Sequence, residues 1–233
     1  AVTVYTGSGN DVITNASNYV SIKSNAGENT FTNSGANVTI WGGSAGDKIT
    51  LNSGAAINSI FGAYGEDTIK VTADLANLTI NGGGSNDLIQ VTAADRTNGI
   101  TFQFDYSDGV DTIEGFNATK DTLHFRYYDS SMLSASLNAD GSEMSIKSSQ
   151  VTTNAPIVVL KGDAGDFDAT TEITHIKSGT TTVADETATI KANYRVLSDP
   201  TQAFTSSVAN MTVAAQNGAY TITNTAKSVY IDA

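Results

Sequence analysis

The stretch GGSAGDKIT (residues 42–50) decides the fold, because GAYGEDTIK (62–70) and GGGSNDLIQ (82–90) repeat its pattern of glycines, one acidic residue and one apolar residue. TGSGNDVIT (6–14) and SNAGENTFT (24–32) come before these copies, and the looser YSDGVDTIE (106–114) comes after them. A recurring unit of this size indicates a repetitive, stacked architecture.

The acidic position, here called the ruler, aligns the copies. It is occupied by Asp11, Asn29, Asp47, Asp67, Asp87 and Asp111, at spacings of 18, 18, 20, 20 and 24 residues. Two residues after the ruler stand Ile13, Phe31, Ile49, Ile69, Ile89 and Ile113. Seven before it stand Val4, Ile22, Ile40, Ile60, Ile80 and Phe104, and nine before it Val2, Val20, Val38, Asn58, Leu78 and Phe102. Asn58 is the one polar member of these three apolar columns.

These columns predict an all-β chain that forms a parallel β-roll, or β-solenoid, of 18–20-residue coils. Each coil has one short strand before the glycine-rich turn and one after it, and residues two apart share a face of a strand. Successive coils would stack about 4.8 Å apart and pile the apolar columns into one core. Glycine allows a positive φ in the tight turns, where a Cβ atom would clash.

Composition excludes several classes of function. The 233 residues include 24 acidic and 12 basic ones, so the net charge of −12 argues against a nucleic-acid partner. Without cysteine there is no disulfide, thiolate metal site or cysteine nucleophile. No run of 18 apolar residues is present, which predicts no insertion into a membrane. The start at Ala1, without a signal-peptide pattern, favours a mature form or a piece of a longer protein.

Stacking places one ruler carboxylate above another along an edge of the solenoid. Two carboxylates about 5 Å apart repel by roughly 3 kcal/mol at an effective dielectric constant of about 20. A divalent cation between Asp47, Asp67 and Asp87 would remove this repulsion, and carboxylate and carbonyl oxygens in a flexible turn suit Ca²⁺ best. The alternative is that these residues are plain turn formers, since Asp and Asn favour tight turns.

The turns resemble the glycine-rich, calcium-binding RTX (haemolysin-type) repeat, whose nonapeptide reads G-G-x-G-x-D-x-U-x with U apolar. The resemblance implies that an aspartate of each turn binds Ca²⁺ between adjacent coils. The implied metal-site residues are Asp11, Asp47, Asp67, Asp87 and Asp111, with the turn residues Gly7, Gly9, Gly43, Gly65 and Gly83. The motif occurs once per coil and Asn29 departs from it, so we expect few ions, on one edge only.

We predict three regions: a calcium-binding β-roll with closing strands over 1–125, a β cap and linker over 126–180, and a small β appendage or the start of a second module over 181–233. The stretch 102–125 resembles the end of an RTX roll. The turn N-A-D-G (138–141) predicts a hairpin in the cap, and Asn217-Gly218 predicts another hairpin near the C-terminus.

The leading hypothesis is a non-catalytic structural module of a secreted or cell-surface protein, of the adhesin or surface-layer type. Two histidines and the absence of a P-loop or an H-E-x-x-H motif argue against an enzyme. The alternatives are an accessory polysaccharide-binding module, motivated by resemblance to calcium-binding modules of alginate epimerases, and a polysaccharide lyase or hydrolase. Expected partners are Ca²⁺ and either a cell-surface polysaccharide or other copies of the chain.

Two further sets of residues, one of aspartates and one of tyrosines, each allow two interpretations. Asp105, Asp108 and Asp111 form either another oxygen site or, the favoured interpretation, an exposed acidic loop. Six tyrosines could form a sugar-stacking surface, but their different registers predict scattered exposure: Tyr5, Tyr19, Tyr64, Tyr106, Tyr127 and Tyr128.

Overall fold

Short β-strands build nearly all of the regular structure in the computed structural model. The structure describes residues 1–52, 58–129, 132–153, 155–162, 166–167, 172–178, 188–197, 203–206, 211–215, 221–224 and 229–232. Within these ranges there is no α-helix, and accordingly none long and apolar enough to cross a membrane. The all-β prediction is confirmed.

Twelve strands form six coils, with two strands in each coil. The strands that precede the glycine-rich turns are β1 (Val2–Tyr5), β3 (Val20–Lys23), β5 (Thr39–Gly43), β7 (Ser59–Tyr64), β9 (Leu78–Gly84) and β11 (Ile100–Phe104). The strands that follow the turns are β2 (Val12–Asn15), β4 (Thr30–Asn33), β6 (Lys48–Leu51), β8 (Thr68–Val71), β10 (Leu88–Val91) and β12 (Asp111–Glu114).

Each strand pairs in parallel with the equivalent strand of the next coil, so the solenoid has two faces. On the first face Ile22 lies opposite Ile40, and Ile40 opposite Ile60. On the second face Ile49 lies opposite Ile69, which lies opposite Ile89. The predicted columns are therefore present in these coils, and side chains alternate between the core and the outside along strands such as β5 and β6.

The core runs along the axis between the two faces. Ile40, Ile49, Ile60 and Ile69 are fully buried. Asn58, the polar member of the apolar columns, is fully buried too, and its Oδ1 atom accepts the backbone N–H of Val38 at 2.9 Å. The one polar residue of the column thus forms a hydrogen bond between neighbouring coils.

In the sixth coil the structure corrects the predicted columns by two residues. Leu78 pairs with Ile100 and Ile80 with Phe102, rather than with Phe102 and Phe104. The ruler itself is right, because Leu88 pairs with Thr112 on the second face. The turn between the two strands of the sixth coil is two residues longer than the corresponding turn of the fifth coil. Counting backwards from Asp111 by the spacing of the earlier coils therefore assigns the first strand two residues too late.

A cap follows the sixth coil. β13 (Thr122–Phe125) pairs in parallel with β11 and continues the first face, so it is not the closing strand that the sequence predicted, because β17 (Glu172–Ser178) pairs in parallel with its other edge. β14 (Leu133–Leu137) and β15 (Glu143–Ser148) form the predicted antiparallel hairpin around Asn138–Gly141. β16 (Val158–Lys161) pairs antiparallel with β15 and parallel with β12, which joins the hairpin to the second face.

Six strands follow the cap: β17 (Glu172–Ser178), β18 (Ala188–Leu197), β19 (Ala203–Ser206), β20 (Met211–Ala215), β21 (Thr221–Asn224) and β22 (Val229–Asp232). β17 pairs in parallel with β13 and antiparallel with β18. β18 also pairs in parallel with β14 and with β20, β20 with β22, and β19 with β21. The hairpin turn predicted at Asn217-Gly218 lies outside the described residues; of the described strands on either side, β20 pairs in parallel with β22 and β21 with β19.

The opposite end of the stack is open. Among the described residues, β1 pairs with β3 alone and β2 with β4 alone. Val2 is 61% exposed and Ile13 is half-buried, whereas Val20 and Phe31, their partners in the second coil, are buried. The first coil therefore packs its apolar residues on one side only.

Candidate metal centre: a ladder of buried carboxylates

The ruler side chains form a continuous ladder inside the glycine-rich edge. In each coil the ruler Oδ1 atom accepts the backbone N–H of the ruler residue one coil earlier. The N···O distances are 2.9 Å at Asn29, 2.6 Å at Asp47, 2.6 Å at Asp67, 2.8 Å at Asp87 and 3.0 Å at Asp111. One carboxylate oxygen per rung is thus used to hold neighbouring coils together.

The second oxygen of each aspartate rung has no hydrogen-bond partner. The Oδ2 atoms concerned are buried and belong to Asp11, Asp47, Asp67, Asp87 and Asp111. The side chains of Asp47, Asp67, Asp87 and Asp111 are at most 2% exposed. A buried acceptor without a partner is destabilising by about 1–3 kcal/mol, and more when it carries charge. These atoms therefore need a proton or a cation.

Glycine makes room for the carboxylates. A Cβ atom on Gly42 would lie 2.4 Å from Oδ2 of Asp47 and 2.5 Å from the carbonyl oxygen of Gly62. A Cβ atom on Gly62 would lie 2.1 Å from Oδ2 of Asp67 and 2.2 Å from the carbonyl oxygen of Gly82. Each space is lined by a carboxylate oxygen and a carbonyl oxygen, both of which are acceptors.

Burial raises the pKa of Asp67 and Asp111 to about 8 and that of Asp87 to about 7. Repulsion from neighbouring ruler carboxylates adds to the rise at Asp67 and Asp111. Burial also raises the pKa of Asp47, but hydrogen bonds from Asn29 oppose that rise. In the folded chain, full ionisation of the central rungs near neutral pH is unfavourable without a compensating positive charge.

The donor chemistry fits a hard cation. The aspartate rungs offer carboxylate and carbonyl oxygens, and this is the ligand set that Ca²⁺ takes. Within the described ranges no three Asp, Glu or His side chains converge on one point as a ready-made metal cluster. A cation in the ladder would therefore be held by one carboxylate from a coil together with backbone carbonyls.

The glycines named from the resemblance fall into two groups. Gly43, Gly65 and Gly83 have φ values of +125°, +113° and +104°, so they hold the left-handed turn conformation expected of them. Gly7 and Gly9 do not adopt a positive φ, and no atom lies within 4 Å of a Cβ built on either. The left-handed turn conformation expected of the turn glycines is therefore not found at these two positions, and their role at a metal site stays a prediction.

The acidic loop of the sixth coil is not the exposed loop that the sequence favoured. Asp111 is fully buried, and Asp105 and Asp108 are half-buried. Asp108 Oδ2 accepts the backbone N–H of Asp105 at 2.7 Å and the side-chain amide of Asn81 at 3.2 Å. Arg126 lies 3.4 Å from Asp105 Oδ2 and brings a positive charge to the loop.

Aromatic side chains also depart from expectation. Three of the six tyrosines gather instead of scattering: the ring of Tyr106 lies 6.0 Å from that of Tyr127 and 4.6 Å from that of Tyr128. Trp41 stacks against Phe61 at 5.5 Å on one side, and Lys23 covers it at 4.5 Å on the other. Trp41 is therefore in contact with residues of the neighbouring coils on both sides of its strand.

One buried ion pair was not predicted from the sequence. Both guanidinium nitrogens of Arg96 donate to the carboxylate of Asp121 at 2.8 Å. That carboxylate also accepts the backbone N–H groups of Ile100 and Asn117, each at 2.8 Å. The two residues are 25 apart in sequence and belong to no recognisable motif. The one sequence feature that could have indicated the pair is the presence of an arginine in a polar loop.

Comparisons with known proteins identify no family for this chain. No family model matches the sequence, and no curated protein matches it by sequence. Among solved structures, the chain is similar to the crystal structure of the extracellular lipase LipA from Serratia marcescens, with 17% sequence identity and a TM-score of 0.37. The match covers 76% of this chain and 40% of the lipase chain, so the chain spans less than half of that protein.

Proposed function

We propose that the chain is a non-catalytic structural module of a secreted or cell-surface protein, of the surface-layer or adhesin type, whose solenoid is stabilised by Ca²⁺ in the ruler ladder. The observation that carries this proposal is the row of buried Oδ2 atoms without partners that lie beside backbone carbonyls. A divalent cation satisfies both kinds of oxygen at once and removes the repulsion between rungs.

Calcium would then couple folding to the environment. Because the ladder exists only when coils are stacked, the free energy of binding becomes free energy of folding. Extracellular calcium modules bind with dissociation constants of about 10⁻⁴–10⁻³ M. Sites of that affinity would be filled outside a cell and empty in a cytosol, as a secreted or cell-surface role requires.

Thermal unfolding, followed by circular dichroism in EDTA and across a Ca²⁺ titration, tests the proposal. At a Ca²⁺ concentration 100 times the Kd, each site adds about 2.7 kcal/mol. For a chain of this size that corresponds to a rise in Tm of roughly 5–11 °C per site. The same concentration of Mg²⁺ is the control, and it should raise Tm far less.

Variants test whether the Ca²⁺-dependent rise in Tm comes from the ladder. The double change Asp67→Asn and Asp87→Asn should remove most of the Ca²⁺-dependent rise, whereas Asp95→Asn, at an exposed residue outside the ladder, should leave it intact. Equal Tm values for the unaltered chain in EDTA and in Ca²⁺ would show that Ca²⁺ does not stabilise the fold, and that the solenoid is held together by its apolar core without a metal.

A further inference from the structure

The ladder contains two chemically different kinds of rung. Asn29 has an amide nitrogen at the place where the other rungs have Oδ2. This Nδ2 atom donates to the carbonyl oxygen of Gly27 at 2.7 Å and to that of Gly42, in the next coil, at 3.3 Å. The Asn29 rung is thus fully hydrogen-bonded by atoms of the chain itself, while Asn29 is only 1% exposed.

The register places the carbonyl of the next coil beside the aspartate rungs as well. Gly27 lies two residues before Asn29, and Gly42 lies five residues before the next ruler, Asp47. The equivalent of Gly42 for Asp47 is Gly62, whose carbonyl oxygen crowds the same small space as Asp47 Oδ2. An acceptor therefore faces an acceptor at that rung, whereas at Asn29 a donor faces the carbonyls.

We propose that an amide at the ruler position satisfies the backbone carbonyl oxygens of its rung without a cation, an arrangement called amide closure below. The N–H groups of Asn29 then take the place that a bound cation takes at the aspartate rungs. Cation dependence is then confined to the aspartate rungs, and Asn29 separates Asp11 from the continuous series that begins at Asp47. The role of the cation rests on the proposed function, but the role of the amide rests on the Asn29 hydrogen bonds alone.

The opposite edge of the solenoid uses the same device. Asn15 Nδ2 donates to the carbonyl oxygen of Ser17 at 2.9 Å, and Asn33 Nδ2 donates to that of Gly35 at 2.9 Å. Asn15 Nδ2 also reaches Oδ1 of Asn33 in the next coil at 2.7 Å. These turns are closed within and between coils by amides, and Asn33 is fully buried.

The first test replaces an aspartate rung by an amide. Asp67→Asn should raise Tm in EDTA at pH 8 by about 5 °C, since a buried acceptor without a partner becomes a donor to the carbonyls around it. Asp95→Asn is the matched control: Asp95 is exposed and has a φ of +52°, a conformation that Asn also adopts, so no shift is expected. A Tm of Asp67→Asn that is equal to or below that of the unaltered chain in EDTA would overturn the proposal.

The second test makes the reverse change. Asn29→Asp should lower Tm in EDTA and raise the number of Ca²⁺ ions bound per chain by one, as counted by isothermal titration calorimetry. If this variant does not fold in EDTA, its Ca²⁺-loaded form still gives the stoichiometry. An unchanged Ca²⁺ count together with an unchanged Tm in EDTA would contradict the proposal.

The two ideas can fail separately. If the unaltered chain binds no Ca²⁺ while Asp67→Asn is more stable in EDTA, the calcium function fails and the amide closure stands. If the chain binds Ca²⁺ and Asp67→Asn is destabilised in EDTA, the calcium function stands and the amide closure fails.

Discussion

Two residues with side chains occupy turn positions where neighbouring coils use glycine. Ala63 has a φ of +85° and lies in register between Gly43 and Gly83. Ser85 has a φ of +95° and stands two residues before its ruler, as Gly65 does in the previous coil. An L-residue in this left-handed region is strained by roughly 1–2 kcal/mol, so the stacking of the coils must hold both residues there.

Ala63→Gly should stabilise the chain. Relief of the strain outweighs the larger entropy that glycine has in the unfolded chain, which leaves a net gain of up to about 1 kcal/mol, or a rise in Tm of about 2–4 °C. Ala45, in the equivalent turn of the third coil, has no positive φ, so Ala45→Gly should destabilise by about 0.5–1 kcal/mol. Loss of stability in both variants would show that Ala63 is not strained.

The raised pKa values of the ruler aspartates predict how stability depends on pH in the absence of divalent cations. Asp67, Asp87 and Asp111 have folded-state pKa values of about 7–8, above their value of 3.8 in model compounds. The folded chain then binds more protons than the unfolded chain between about pH 4 and pH 8, so stability should fall as the pH rises through that window.

Tm measured in EDTA at pH 5, 6, 7 and 8 checks this prediction. Tm should be highest at the acid end and lowest at pH 8, and the decline should be shallower in Asp67→Asn. Saturating Ca²⁺ should raise Tm more at pH 8 than at pH 5, because protons compete with the cation for the same oxygens. A Tm in EDTA that is constant from pH 5 to pH 8 would mean that the carboxylates ionise freely in the folded state.

At the scale of the element, one ion pair joins the loop after β10 to the loop before β13. The side chains of Arg96 and Asp121 are 5% and 0% exposed, and the Asp121 carboxylate accepts backbone N–H groups from both sides. Asp74 organises the same region, since its carboxylate accepts the backbone N–H groups of Thr97 and Asn98. These contacts hold the end of the fifth coil against the start of β13.

Arg96→Met should therefore be strongly destabilising, by about 3–5 kcal/mol, because it leaves the Asp121 carboxylate buried without its partner. Urea unfolding measures the loss. Glu143→Gln is the control, since the Glu143–Lys161 pair is about 40% exposed and should contribute less than about 1 kcal/mol. A loss below 1 kcal/mol for Arg96→Met would show that the loops are held by packing alone.

The elements also show why the sequence predicted some features and missed others. The ruler and its neighbouring columns were predictable because stacking demands the same residue type at the same place in every coil. Ile80 was paired with the wrong phenylalanine because a period cannot tell on which side of a turn an insertion falls. The Arg96–Asp121 pair is a single contact between loops and leaves no periodic trace.

At the scale of the whole molecule, each coil contacts mainly its neighbours, so the solenoid is a linear array. The carboxylate ladder and the strand pairing run in the same direction, and each coil is completed by the next one along the chain. Stability in such an array is close to a sum of coil and interface contributions. The open face at β1 and the hairpin cap after β12 make the two ends of the six coils unequal.

The stacking of unequal coils has a mechanical consequence. Tension applied between the two ends of the six-coil stack acts along the line of the hydrogen bonds between coils, so it loads one interface at a time. The repeat spacings of 18–24 residues correspond to about 60–80 Å of released chain per coil at full extension. Optical-tweezer traces should show steps of that length, longer from the fifth and sixth coils than from the first two, and a single step for all six coils would contradict this. The module would then act as an extensible link that lengthens in increments of one coil before it gives way.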